Sequence, residues 1–523
     1  MKSLNRREFN KNLLKGFGAV ATASATITDP DNAEAKSRKR PNIVFICSDQ
    51  HAYKYAGFMG HDLVKTPNLD RIARNGVVFS NTYSGNPVCV PGRSAMMTGM
   101  YASDCRSYCN STVWDGSHPT WSKRLQDAGY YCWATGKLDL NDDFDMGFVH
   151  VETSNGHYSK PDITSLFRRP CVYRFNERPQ INGEARDSRH KDAKRTQNAV
   201  NFIKNETGDL KQPWVCYTGL TQPHPDFRAL KKYYDMYYPN RVDTPNVPPE
   251  YLENLHIVYQ ELRNFKRIST PISDEKQRKA RAGYYGMITE LDEYVGQIWE
   301  ALEETGQLEN TIFIYTSDHG ESLGEHGLWL KNNLFDVASR VPLVISGPGI
   351  PKDVTVDSPV GHVDLVASLL EWAKADKPDT LRGHSLVPLM FNKQGDSPQF
   401  AFSETHSEGN CTGSFMVRKG DWKYIYFSFY EDLLFNVKDD PYELTNRIND
   451  PEVQEIKKEL YGILTSLLDP DKVTLEAFEA QGRKLKELAD PRSEDELAEY
   501  LTSRLGDGQA RLVAKKIKQG KMV

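Results

Sequence analysis

Nearly continuous apolar runs recur along the chain at Asn42–Ser48, Tyr130–Thr135, Trp214–Leu220, Thr311–Ser317 and Val341–Ser346. Short runs without polar alternation suit strands buried on both faces of a parallel sheet. Helical patterns lie between them. The clearest runs from Arg281 to Glu304 and puts Met287, Ile288, Leu291, Val295, Ile298 and Leu302 on one face, with Gly306 as a stop. Strands alternating with helices predict an α/β domain: a large, mainly parallel sheet flanked by helices. The pattern changes near Ser397. Phe415–Arg418 and Trp422–Phe429 flank a turn at Lys419–Asp421, and Leu433–Phe435 precedes an Asp439-Asp440-Pro441 turn. These segments predict a smaller C-terminal domain containing an antiparallel sheet. The resulting division is 41–396, 397–470 and a charged helical tail, 471–523.

Composition changes this picture little. The 523 residues are 39% apolar and 26% charged, with a formal net charge of -5. That balance is ordinary for a globular chain and gives no argument for a general nucleic-acid binder, so no nucleic-acid partner is expected. Charge is uneven locally. Residues 160–195 carry ten Lys or Arg, among them Arg168 and Arg169, against five acids. This segment is an insertion, either a solvated surface loop or a face for an anionic substrate. Residues 1–35 read as an export signal of twin-arginine type. Arg6-Arg7 precedes a weakly apolar stretch, Leu13–Ala25, and Ala33-Glu34-Ala35 offers a cleavage site. A disordered basic N-terminus is the alternative. The signal predicts an exported protein, periplasmic or secreted. No segment is long enough for a stable membrane span.

Eight cysteines are too few, in so long a chain, to define a disulfide framework. Cys47, Cys132 and Cys216 sit inside apolar runs and read as small buried hydrophobes. The Cys105–Cys109 spacing would suit a local bridge or metal site, but no second Cys or His pair lies nearby.

Four apolar runs end in a reactive side chain. The first ends at Asp49-Gln50, the second at Gly136-Lys137, the third reaches His224, and the fourth ends at Asp318-His319. Ligands of open α/β sheets bind outside the carboxyl ends of the strands. One such ending means little, since a lone charge is usually a surface ion pair. Four together, offering acid, base and cation, predict a single site. Cys89 fits the same place. Pro91 suits a first helical turn, so Cys89 would stand at a helix N-terminus, where thiolates and other anions are favoured.

With these residues in hand, the chain resembles the type I, formylglycine-dependent sulfatases of the alkaline-phosphatase superfamily. Cys89-Val90-Pro91-Gly92-Arg93 matches that family's Cys-x-Pro-x-Arg signature. Ser317-Asp318-His319-Gly320-Glu321, His326–Lys331, Arg340–Leu343, Gly136-Lys137, Pro223-His224-Pro225 and Gly420–Lys423 follow in the family's order. In motif pattern the chain is most similar to choline-sulfatase-like and polysaccharide sulfatases. Gln50 stands where many relatives have a second aspartate, and Asp-Gln with Asp-His places the chain near the choline-sulfatase-like and phosphonate-monoesterase-like groups rather than the animal arylsulfatases. The resemblance implies an alkaline-phosphatase-like fold and a maturase that converts Cys89 to formylglycine. It implies a divalent cation held by Asp49, Gln50, Asp318, His319 and the oxygen made from Cys89. Oxygen ligands favour Ca²⁺, with Mg²⁺ or Mn²⁺ open. Arg93 would orient the nucleophile, Lys137 and Lys331 would neutralise sulfate oxygens, and His224 or Lys331 would protonate the leaving alcohol.

One position departs from the family. Where Gly-Lys-x-His is usual, this chain has Gly136-Lys137-Leu138-Asp139, so Asp139 would have to replace a histidine that assists the second half-reaction. The expected activity is hydrolysis of sulfate esters, of a sulfated carbohydrate or of a small ester such as choline sulfate. A phosphonate monoester or phosphodiester hydrolase on the same scaffold is the runner-up. A catalytically dead binding protein is a third reading, against which the intact Cys89, Arg93, Lys137, His224, Asp318 and Lys331 argue.

Overall fold

The apolar runs assemble into one eight-stranded sheet in a computed structural model that describes residues 40–521 except 155–160, 167–180, 394 and 407. Across the sheet the strands are Val354–Val356, Gly76–Phe79, Leu343–Ser346, Thr311–Ser317, Asn42–Ser48, Trp214–Gly219, Tyr131–Lys137 and Val149–Ser154. Every neighbouring pair is parallel except the two made by Leu343–Ser346. The α/β class expected from the sequence is therefore the class observed. The residues proposed as an export signal, and Arg168 and Arg169, lie outside the described residues. No helix among those described is long and apolar enough to cross a membrane.

The first strand shows why its sequence carries no alternation. Ile43, Phe45 and Cys47 pack into one apolar layer with Trp121, Tyr217 and Leu365. Val44 and Ile46 pack into the opposite layer with Leu291, Val295 and Ile298 of the helix Asp274–Glu304. Both faces of the strand are covered, so both must be apolar. Burial of each large side chain contributes roughly 1.5–3 kcal/mol.

Boundaries differ from expectation where polar residues mask the pattern. The long helix starts at Asp274 rather than Arg281. Its first turns are polar and exposed or half-buried, and the start is set by Ser273, whose hydroxyl accepts from the Lys276 amide. The run Val341–Ser346 is two strands, not one. Arg340–Val341 pairs with Thr82–Tyr83 in a small second sheet, while Leu343–Ser346 enters the main sheet. Pro342 between them has no N–H to give to a ladder. Cys105 and Cys109 are separate buried thiols, so the pair makes no bridge.

The C-terminal sheet orders Ala401–Thr405, Ser414–Lys419, Trp422–Phe427 and Leu433–Asn436, all antiparallel. Its buried Lys423 sits between Asp336 and Glu443, each at 2.7 Å. Helices Pro470–Ala489, Glu494–Leu505 and Asp507–Lys518 follow. They bury Leu485, Leu497, Leu501 and Val513 against Cys109, Ile163 and Leu166.

Two glycines let the chain converge at the carboxyl end of the sheet. Gly136 and Gly219 are register partners on adjacent strands. A Cβ on Gly136 would stand 2.0 Å from the Gly219 carbonyl oxygen, and one on Gly219 would stand 2.0 Å from that of Lys137. Gly136 also has φ +87°. Gly219→Ala should therefore force these strands apart next to Lys137. The expected cost is about 1–3 kcal/mol, the usual range for overpacking, visible as a lower urea midpoint. An unchanged midpoint would show that the strands separate without strain.

Candidate active site

The register of two parallel strands builds the core of the site. Ser48 faces Ser317, so the residues that follow, Asp49 and Asp318, leave the sheet side by side. Both carboxylates are fully buried. The helix Cys89–Thr98 brings Cys89 and Arg93 up to them, one turn apart on the helix. Asn110 supports the start of that helix, its side-chain oxygen accepting from the Val90 amide at 3.1 Å.

Around Cys89 the distances are short. Its Sγ lies 3.3 Å from His319 Nε2 and 3.7 Å from Asp49 Oδ1, and it accepts from Lys331 Nζ at 2.8 Å. His319 Nδ1 is 2.9 Å from the Gly320 carbonyl oxygen, which fixes the proton there and turns the Nε2 lone pair toward Cys89. Burial and the Asp49 charge push the Cys89 thiol up, but Lys137, Lys331 and His319 outweigh them and hold it well below the ordinary thiol range. A buried packing cysteine behaves oppositely: burial pushes Cys47 up to about 12.

Each carboxylate has assigned donors. Asp318 accepts from Arg93 Nε at 2.9 Å, the Gln50 amide at 3.0 Å and the His319 amide at 2.9 Å. Arg93 also donates to the Lys137 carbonyl at 3.0 Å and the Tyr217 hydroxyl at 3.2 Å. It therefore positions Asp318 and the end of the Lys137 strand. Lys137 Nζ lies 2.5 Å from Asp49 Oδ2 and 3.0 Å from Asp139 Oδ2. Burial would raise Asp49, but Lys137, His224, Lys331 and Arg93 hold it well below the usual carboxylate range. Burial raises Asp318, and Arg93 only partly opposes it.

A divalent cation fits this donor set. Ligand atoms of Asp49, Cys89, Asp318 and His319 all lie within 4.8 Å of one another. Atoms so spaced can share one ion at bond lengths of about 2.3–2.6 Å. Gln50 adds an acceptor. Its Nε2 donates to Glu321, while its Oε1 is buried with no donor. A cation would satisfy that oxygen.

Of the residues singled out from sequence, Asp49, Cys89, Arg93, Lys137, Asp139, Asp318, His319 and Lys331 form one contact network, and Gln50 joins it through Asp318. His224 stands further out. Its Nδ1 is 2.7 Å from the Pro225 carbonyl oxygen, and its ring lines a cavity of about 600 Å³. That cavity opens onto Asp49, Lys137 and Asp139, with His190, Lys191 and Arg228 on its walls. A larger cavity of about 880 Å³ between Tyr251 and Asn446 contains none of the predicted site residues. Sequence inspection gave no role to Glu321, Tyr217, Asn110 or Lys266. Lys266 is buried and donates to the carbonyls of Trp329 and Lys331, fixing the loop that carries Lys331. Glu321 was within reach as part of Ser317–Glu321; the others carry no local signal.

Comparison with known proteins agrees with the geometry. A family profile described as Sulfatase matches residues 41–375. A second, described as N-sulphoglucosamine sulphohydrolase, C-terminal, matches residues 324–469. Arylsulfatase K of Danio rerio is 32% identical, over 83% of this chain and 84% of its own length. Choline-sulfatase of Rhizobium meliloti (strain 1021) is 29% identical, over 79% and 83%. An animal arylsulfatase and a bacterial choline-sulfatase thus stand at similar distances, so the expected placement away from the animal arylsulfatases does not hold for all of them. The fold is shared with the phosphonate monoester hydrolase of Agrobacterium radiobacter, at TM-score 0.69 and 24% identity over 82% of this chain and 95% of that one. It is shared equally with a protein solved with D-glucosamine-2-N,6-O-disulfate, at TM-score 0.68 and 24% identity over 83% and 99%. The chain belongs to the sulfatase family and is a sulfuric ester hydrolase.

Proposed function

We propose that this chain is an exported sulfatase that removes sulfate from a sulfated carbohydrate, using a formylglycine made from Cys89 by a maturase, and Ca²⁺ held by Asp49, Gln50, Asp318, His319 and position 89. The observation that carries the reading is the convergence of Lys331, His319 and Asp49 on the Cys89 Sγ. In this reading the Sγ stands in for an oxygen of the hydrated aldehyde. The ion supplies positive charge that lowers the pKa of a hydroxyl at position 89 and steadies charge on sulfate oxygens. The hydrate supplies two hydroxyls, one to attack sulfur and one to lose its proton and expel sulfate.

The remaining work falls to side chains on this chain. Lys331 donates toward position 89 from one side. Lys137, held between Asp49 and Asp139, faces the cavity and can bind a sulfate oxygen. The His224 Nδ1–H is occupied by the Pro225 carbonyl, which leaves Nε2 to carry a proton to the leaving alcohol. Asp139 is a carboxylate beside Lys137 and serves as base in place of the family's usual histidine. The cavity's polar, cationic walls support an anionic sugar substrate, as does the disulfated glucosamine bound by a structural relative. Release of sulfate from a panel of sulfated oligosaccharides should exceed release from choline sulfate and turnover of a matched phosphodiester. Faster turnover of choline sulfate would move the substrate class, and a preference for the phosphodiester would overturn the sulfatase reading of this site.

Peptide mass spectrometry across Ser84–Arg93, on protein from a host with a competent maturase, should find formylglycine at position 89. Cys89→Ser, with one hydroxyl instead of two, should complete at most one turnover. Full activity with unmodified Cys89 would sink the mechanism.

Exhaustive chelation should abolish turnover and added Ca²⁺ should restore it. Asp318→Ala should weaken Ca²⁺ binding by at least tenfold in titration calorimetry. Undiminished activity after chelation would rule out the ion.

A further inference from the structure

We propose that Glu321 is a positioning residue that sets which end of the Gln50 carboxamide faces the metal site. The inference rests on the cation reading above. Glu321 is fully buried, and three N–H groups donate to it. Its Oε1 accepts from the Leu323 amide at 2.8 Å and the Leu330 amide at 2.6 Å, and its Oε2 accepts from Gln50 Nε2. The two backbone amides demand an oxygen, and so lock the carboxylate in place. Burial raises Glu321, while the Leu323, Gln50 and Leu330 donors and the Lys266 charge oppose it. With both oxygens accepting, the NH₂ end of Gln50 is the end that faces it.

The rest of Gln50 is equally constrained. Its backbone carbonyl oxygen accepts from the Tyr284 hydroxyl at 2.7 Å, and that hydroxyl also accepts from the Ala52 amide at 2.9 Å. Its own amide is tied to Asp318, and its backbone sits at φ +72°. With the backbone pinned and Nε2 committed to Glu321, Oε1 is turned the other way. That oxygen is buried and takes no donor from the protein. The residue lies between two metal-site carboxylates, next to Asp49 in sequence and hydrogen-bonded to Asp318. A half-turn of the amide would put two N–H donors where a cation needs an acceptor. Glu321 prevents that half-turn.

Glu321→Gln tests this with almost no change in shape. The Leu323 and Leu330 amides keep an oxygen at the Oε1 position, so the new NH₂ faces Gln50. Gln50 must then present its own oxygen to residue 321 and its NH₂ to the ion. Calcium titration calorimetry of chelator-dialysed E321Q should show affinity at least tenfold below wild type. Gln50→Ala should lose a similar factor. In the Q50A background, E321Q should add less than twofold, because no amide is left to turn. A simple loss of negative charge predicts the same factor in both backgrounds. That result, or wild-type affinity in E321Q, overturns the inference. A merely structural role would lower the melting temperature of the chelated protein and leave Ca²⁺ affinity intact, which also overturns it. Should E321Q fail to fold, a crystal structure of the Ca²⁺-loaded wild type decides. Gln50 Oε1 is expected within about 2.3–2.6 Å of the ion, and an Oε1 turned toward Glu321 overturns the proposal. A wild type that holds no divalent cation overturns the metal reading itself, together with this inference. A wild type that binds Ca²⁺ while E321Q binds it equally overturns this inference alone.

Discussion

Two carboxylates sit where water does not reach, and most of the site's architecture answers to that. The pairing of Ser48 with Ser317 leaves Asp49 and Asp318 adjacent at the carboxyl edge of the sheet, both fully buried. An isolated buried carboxylate carries a desolvation cost of several kcal/mol. It must be matched by positive charge and N–H donors or lose its ionisation. Arg93 comes from a helix, Lys137 from the end of another strand, and Lys331 from a loop. These sources are far apart in sequence, so the charges balance only in the completed fold. Removing one partner would leave a charge buried and unpaired, which costs about 3–5 kcal/mol. The same arrangement makes a thiol at position 89 acidic and gives a divalent ion a set of donors.

The surrounding structure holds these groups to position, often through contacts with no chemical role. Lys423, between Asp336 and Glu443, locks the antiparallel sheet to the segment just before Arg340–Val341. Arg340–Val341 pairs with Thr82–Tyr83, which leads into the loop before Cys89. The C-terminal helices bury Cys109 and Ile163. Asn110, next to Cys109, holds the first turn of the Cys89 helix. Distant packing is thus linked by short chains of contacts to the geometry at Cys89. That rigidity suits a site whose donors must stay within a fraction of an ångström of their acceptors.

The sequence showed what local pattern can show. The runs ending at Asp49, Lys137 and Asp318 are strands because each is buried on both faces, and a doubly buried strand has a local signature. The strands Gly76–Phe79, Val149–Ser154 and Val354–Val356 were not anticipated. Gly76–Phe79 and Val354–Val356 are short, and Val149–Ser154 and Val354–Val356 lie at the sheet edges, where only one neighbour supplies the pattern. Asp49, Cys89, Asp318 and His319 were legible because they fall at strand ends or a helix start. Tyr217 was not, because its hydroxyl meets Arg93 from within an apolar run. Lys266 was not, because one lysine in a polar stretch gives no hint that it will be buried under the Lys331 loop. Long-range pairing decides such roles, and pairing depends on register.

Lys137 shows how the charges are shared during a reaction on the proposed reading. An ammonium has three N–H donors. Two are directed at Asp49 and Asp139, at 2.5 and 3.0 Å. On the proposed reading the third would meet a sulfate oxygen entering through the cavity that Lys137 lines. Were Asp49 to share its charge with a bound cation, Lys137 would be left with more of its charge for Asp139 and the substrate. When the sulfate oxygen in turn draws on Lys137, Asp139 loses part of its partner and becomes a better proton acceptor. The approach of the anion would raise the basicity of a histidine or an aspartate in that position alike. What this chain adds is a lysine two residues away that shares its charge with the aspartate. On that reading the departure at position 139 is consistent with Lys137, because the two side chains are paired at 3.0 Å and a change at one is felt by the other.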